Sequence, residues 1–153
     1  MTILKHAHLI DLSLTVDFAG MIVVGQTPAG LRRIAPVTGG RFSGERLKGT
    51  VLQGADWVVN RPDGVMEIDV RLPLQTDDGA MIYLNYQGRF LATPDAMARM
   101  AKGTLLKPEE YSLAMTARFE SGAEDYLWLN DIIAAGTGEQ TADGPVYSIF
   151  AIG

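Results

Sequence analysis

The segment "VMEIDVRLPLQTDDGAMIYLNYQG" constrains this chain more than any other. Met66, Ile68, Val70, Leu72 and Leu74 alternate with Glu67, Asp69, Arg71, Pro73 and Gln75. A period of two belongs to a strand, because successive side chains of extended backbone point to opposite faces. Asp77-Asp78-Gly79 then offers a tight reversal, and "AMIYLNYQG" returns as the antiparallel partner.

Similar short runs fill the rest of the chain. In "LIDLSLTV", Leu12, Leu14 and Val16 fall on one face and Asp11, Ser13 and Thr15 on the other. "LRRIAPV" reads as a run stopped by Gly39-Gly40, followed by "RFSG" and "LKGTVLQG". "ADWVVN" ends at Pro62-Asp63-Gly64, where proline pre-sets one turn torsion and glycine supplies another. "YSLAMTARFESG", "DIIAAGTGEQ" and "PVYSIFAIG" complete the strands. One segment differs. "TPDAMARMAKG" has an N-cap in Thr93, proline at the first helical position and Gly103 as a stop, so a short helix is expected. "DYLWLN" allows a second helical turn. No repeat or linker divides the chain. The expectation is one all-β domain over residues 1–153: an antiparallel β-barrel of about eight to ten strands with one short helix across an opening.

Composition excludes several function classes. The chain has 153 residues, enough for a substantial core, and a net charge of -5. An acidic surface argues against nucleic acid and anionic membrane as partners, since either needs a basic face. With no cysteine there is no disulfide, thiolate nucleophile or Cys-type metal site, and the absence fits a cytoplasmic location. The N-terminal run "MTILKHAHLIDLSLTV" lacks the long apolar core of a signal peptide or a membrane span. His6 and His8 share a strand face, but no third histidine accompanies them, so no metal is expected. "GTGEQ" and "TGGRFSG" do not open a helix after a strand, so they read as turns and not as phosphate loops. No Ser-His-Asp arrangement is evident.

The motifs also resemble a known family. "GLRRIAPVTGGRFSGERLKGTVLQGADWVVNRPDGVMEIDVRLPLQTDDGAMIYL" looks like the signature half of domain-of-unknown-function family 3237, also called uncharacterised protein family 0311. "ARFESGAEDYLWLN" looks like its C-terminal motif. The resemblance implies an antiparallel β-barrel with no generally assigned activity. Three positions depart from the family pattern: Gln53 where a second glycine is frequent, Leu72 where tyrosine is common, and Ala117 where proline is common. If those positions line a site, ligand preference differs from that of relatives.

The stretch "LQGADWVVNRPDG" poses the functional question, because it places Asp56 and Trp57 inside a strand. Asp56 could accept backbone hydrogen bonds near the turn while Trp57 packs in the core. Alternatively Asp56 reaches a cavity, with Trp57 as packing or pocket wall. Glu67, Asp69 and Arg71 share one strand face, roughly 6–7 Å apart. Either that face is solvated and the apolar alternates fill the barrel, or the charged face points inward and the apolar face is covered from outside. Asp69 and Arg71 match motif positions of the family, which favours the inward reading.

On that reading the catalytic set is Asp56, Asp69 and Arg71. Two carboxylates in a dry site push one pKa upward, and an arginine can stabilise a developing enolate or carboxylate. Arg33, Trp57, Tyr83, Asn85 and Trp128 are the expected ligand-binding residues. The expected function is binding of a small organic carbonyl or aromatic compound. The expected chemistry is cofactor-independent acid–base turnover of the isomerase, lyase or hydratase, cyclase or hydrolase type. A carrier or sensor using the same cavity without turnover is the alternative, and an oligomer with a filled barrel a third reading. An outward apolar face on residues 66–74 would need cover, so a homodimer is expected.

Overall fold

A computed structural model describes all residues, Met1–Gly153. Ten strands follow in chain order: β1 (His6–Val16), β2 (Ile22–Thr27), β3 (Gly30–Ser43), β4 (Lys48–Val51), β5 (Gly54–Asn60), β6 (Met66–Thr76), β7 (Met81–Ala92), β8 (Tyr111–Glu120), β9 (Ile133–Gln140) and β10 (Pro145–Ile152). Helix α1 (Pro94–Ala101) joins β7 to β8, and short 3-10 helices occupy Pro108–Glu110 and Glu124–Asp131. Every pairing is antiparallel. The order runs β1-β10-β9-β8-β7-β6, passes through β4 and β5 to β3, and closes where β3 pairs with β1. The result is a closed eight-stranded barrel with two extra strands. The extra strands arise because β3 is long. Its Leu31–Val37 half pairs with β5 and its Gly40–Ser43 half with β4, while β2 and β1 divide its other side in the same way.

The expected stop at Gly39-Gly40 is a bend within β3. Gly40 has φ 143°, and a Cβ there would lie 2.0 Å from the Ser13 carbonyl oxygen. Glycine lets β3 turn while staying against β1, which shifts register between Thr15 and Val16. The β6–β7 hairpin forms as its sequence indicates, with Gln75 opposite Met81. At the Pro62-Asp63-Gly64 reversal, Gly64 has φ 90° and Arg61 N–H donates to the Val65 carbonyl at 2.9 Å. Helix α1 begins where Thr93 Oγ1 accepts the Ala96 N–H at 3.2 Å. The turn expected at "DYLWLN" is the 3-10 helix Glu124–Asp131.

The alternation of β6 resolves into one facing. Met66, Ile68, Val70, Leu72 and Leu74 are all buried inside the barrel. Glu67, Asp69 and Arg71 therefore lie on the outer wall, as in an ordinary half-solvated antiparallel sheet. The apolar stripe expected to need a covering subunit is the barrel's own interior, so that ground for a dimer is gone. The interior is divided between two ends. Leu12, Phe42, Leu72, Leu74, Ile82, Leu84 and Ile149 are at most 1% exposed and fill one end, beneath Leu129 of the second 3-10 helix. The other end is hollow.

Candidate functional site

The hollow end holds a cavity of about 890 Å3, within the range of small-molecule sites. Of its 31 lining residues 19 are hydrophobic, so a few polar groups decide what it can bind. The side chains of α1 and the segment after it, among them Met97, Met100 and Leu105, form part of its rim, with Phe18 and Met21 from the β1–β2 connection.

The polar groups enter by strand parity. On β3, Leu31, Arg33, Ala35 and Val37 face the cavity; on β5, Asp56, Val58 and Asn60 do. Tyr86 on β7 and Tyr147 on β10 complete the set, with their rings meeting edge to face at 5.1 Å between centroids. Arg33 Nη2 donates to Asn60 Oδ1 at 2.5 Å.

Asp56 sits where the β5–β6 ladder opens. Residue pairing holds at Asp56–Val70 and resumes only at Val59–Glu67. In the gap, Asp56 Oδ1 accepts the backbone N–H of Asp69 at 3.0 Å, and Arg32 Nη1 donates to the Trp57 carbonyl at 2.8 Å. Side chains thus replace ladder partners, which answers why a strand places Asp56 and Trp57 side by side. Asp56 looks into the cavity, and Trp57 looks out.

Burial pushes the Asp56 carboxyl up to about 7, a shift that the charge of Asp69 adds to. The Asp69 N–H bond and the nearby charges of Arg33 and Arg32 oppose it without cancelling it. Burial also raises both Tyr86 and Tyr147, and the Asp56 charge raises each further. Both phenols therefore stay protonated and can donate. Burial lowers the Arg33 guanidinium, and the Asp56 charge opposes that.

The expected placements of several site residues are corrected. Asp69 and Arg71 do not line the cavity: Asp69 is half-buried and Arg71 exposed, both on the outer wall. Asp69 touches Asp56 only through its backbone N–H. Arg71 stands over the Trp57 ring, 5.4 Å from its centroid, also outside. Tyr83 and Asn85 share that outer face, opposite Pro73 and Arg71, and Tyr83 is 39% exposed. Trp128 closes the packed end and not the cavity; its indole donates to the Asp125 carbonyl at 3.1 Å beneath the Arg46 guanidinium. Arg33 and Asp56 do line the cavity. Asn60, Tyr86 and Tyr147 were not among the expected residues. Gln53, Leu72 and Ala117, the departures from the family pattern, do not line it either.

The histidine pair is accounted for on the surface. His6 and His8 both meet Phe150 edge-on, and His8 Nε2 lies 2.9 Å from Asp11 Oδ1. No cluster of three or more His, Asp or Glu side chains is placed to hold a metal ion. No helix is long and apolar enough to cross a membrane.

Comparison with known proteins gives the same architecture. The chain is similar to a β-barrel-like protein of Acinetobacter baumannii, 33% identical with TM-score 0.85 over 100% of this chain and 98% of that one. It is similar to a conserved protein of unknown function from Rhodopseudomonas palustris, 26% identical with TM-score 0.92 over 99% of each chain. A more distant relative is the hydroalkoxylation enzyme phnH of Penicillium herquei, 27% identical over 115 residues, which are 75% of this chain and 62% of that protein. The family of proteins of unknown function DUF3237 matches residues 5–152, and the chain belongs to it.

Proposed function

We propose that this barrel is an enzyme that binds a small carbonyl or aromatic compound in its cavity and moves protons with Asp56. The observation that carries the reading is a carboxyl raised to about 7 inside a largely apolar cavity. A group of that kind is poised both to take and to give a proton near neutral pH. The hydroxyls of Tyr86 and Tyr147 supply donors to an oxygen that gains charge during the reaction. Arg71, first expected in that role, is outside.

This chemistry is redox-neutral, and the protein need supply only a proton acceptor and a proton donor. The name of the phnH relative supports it. Hydroalkoxylation adds an O–H across a C=C bond: the O–H bond and the π bond of the alkene break, and one C–O and one C–H bond form. A proton leaves the hydroxyl oxygen and a proton reaches carbon. Isomerisation and hydration draw on the same two transfers. A carrier that uses the cavity without turnover is the second reading, favoured by the predominance of apolar lining.

Kemp elimination of 5-nitrobenzisoxazole tests the acid–base part of this reading, because its rate reports a positioned base in a largely apolar cavity. The expected result is a rate above that of free carboxylate, rising with pH through about 7 and falling roughly 100-fold in Asp56→Asn. A rate equal to background, or one unchanged in Asp56→Asn, leaves the carrier.

A further inference from the structure

Arg33 is poorly satisfied for a guanidinium at a cavity wall. It has five N–H groups to place. One strong acceptor meets it, Asn60 Oδ1 at 2.5 Å from Nη2. Its other contacts are thioethers, Met21 Sδ at 3.6 Å from Nη1 and Met66 Sδ at 3.7 Å from Nη2. Thioether sulfur is a weak and movable acceptor. Its Nε is buried with no partner. No ion pair includes Arg33; the paired arginines of this chain are Arg41, Arg61, Arg89 and Arg99. A buried donor left unpaired is costly, and a fixed charge without a counter-charge more so.

We propose that Arg33 is an anion-recognition group, positioned by Asn60, and that the cavity's ligand carries an anionic oxygen on an apolar body. This rests on the reading of the cavity as the ligand site and names its substrate class. A carboxylate, enolate or phenolate oxygen that displaces the Met21 or Met66 sulfur exchanges a weak contact for a charge-assisted bond. The apolar lining takes the rest of the molecule. Asp56 cannot serve as the missing partner and also remain free for proton transfer. An incoming anion also favours the protonated form of Asp56, because like charges in a dry site resist each other. The anionic ligand would thus meet an acid.

Three probes test this by binding alone. 2-Naphthoate and 2-naphthamide have the same apolar body and differ in charge; 4-nitrophenol reports a phenolate by its absorbance. The expected result is that the native protein binds 2-naphthoate at least about 10-fold more tightly than 2-naphthamide. Preferential binding of ionised 4-nitrophenol marks phenolates and enolates as ligands; preference for naphthoate alone marks carboxylates. Arg33→Gln is expected to abolish the preference while 2-naphthamide binding persists. Asn60→Asp is a second route, since it supplies Arg33 with an internal counter-charge and lowers the preference without removing the arginine. Equal affinity for the naphthyl pair in the native protein, failure of both to bind, or a preference that survives Arg33→Gln overturns the proposal. Kemp activity retained with no anion preference overturns this inference alone. Anion preference without Kemp activity overturns only the acid–base reading.

Discussion

Asp56 Oδ1 accepts the Asp69 backbone N–H at 3.0 Å across an open stretch of the β5–β6 ladder. The bond fixes a carboxyl at the cavity wall, where burial raises its pKa, the N–H bond itself lowers it in part, and the Asp69 charge on the other side of the wall adds to the rise. One interaction therefore sets both the position of Asp56 and part of its electrostatics.

Asp56 makes stability depend on pH. Well below pH 3.8 it is protonated folded and unfolded, and no cost exists. As pH rises toward about 7, the unfolded chain gives up the proton while the folded protein keeps it, so stability falls. Asp56→Asn lacks this titration. It is expected to match the native protein near pH 3 and to exceed it above pH 7, by up to about 4 kcal/mol from the gap between 3.8 and about 7. Urea unfolding at both pH values measures the difference; an equal effect at the two would contradict it.

Arg71→Ala tests the facing of β6. An inward, paired arginine would cost several kcal/mol on truncation, whereas this one is exposed beside Trp57. The expected change is within about 1 kcal/mol, the scale of an exposed cation–π contact, with ligand affinity unaltered. Chemical denaturation and naphthoate binding check both parts.

The two barrel ends are expected to respond differently to truncation. Leu72 is 0% exposed in the packed end, and Leu72→Ala is expected to cost about 2–5 kcal/mol. Leu105, 56% exposed at the cavity rim, is expected to cost about 0.5 kcal/mol or less. Similar losses at the two positions would argue that the ends are not built as described.

The barrel was legible because its strands announce themselves by alternation and its reversals by Asp-Gly and Pro-Asp-Gly. The site was only half legible. Alternation on β6 separates Glu67, Asp69 and Arg71 from the apolar set but does not say which set points inward. Taking the charged face inward carried Asp69, Arg71, Tyr83 and Asn85 to the wrong side of the wall. A better signal lay in the minority polar residues of apolar registers. Arg33 shares parity with Leu31, Ala35 and Val37, and Asp56 and Asn60 with Val58. Tyr86 shares parity with the buried Ile82 and Leu84. Which end of the barrel is hollow depends on long-range packing, so Trp128 could not be placed from its motif.

Asp56, at the cavity wall, is expected to titrate near neutral pH. Carboxyl 13C NMR, with the Asp56 resonance identified by its loss in Asp56→Asn, measures this directly. That resonance is expected to titrate with an apparent pKa of about 7. A midpoint near the ordinary 3.8 would contradict it.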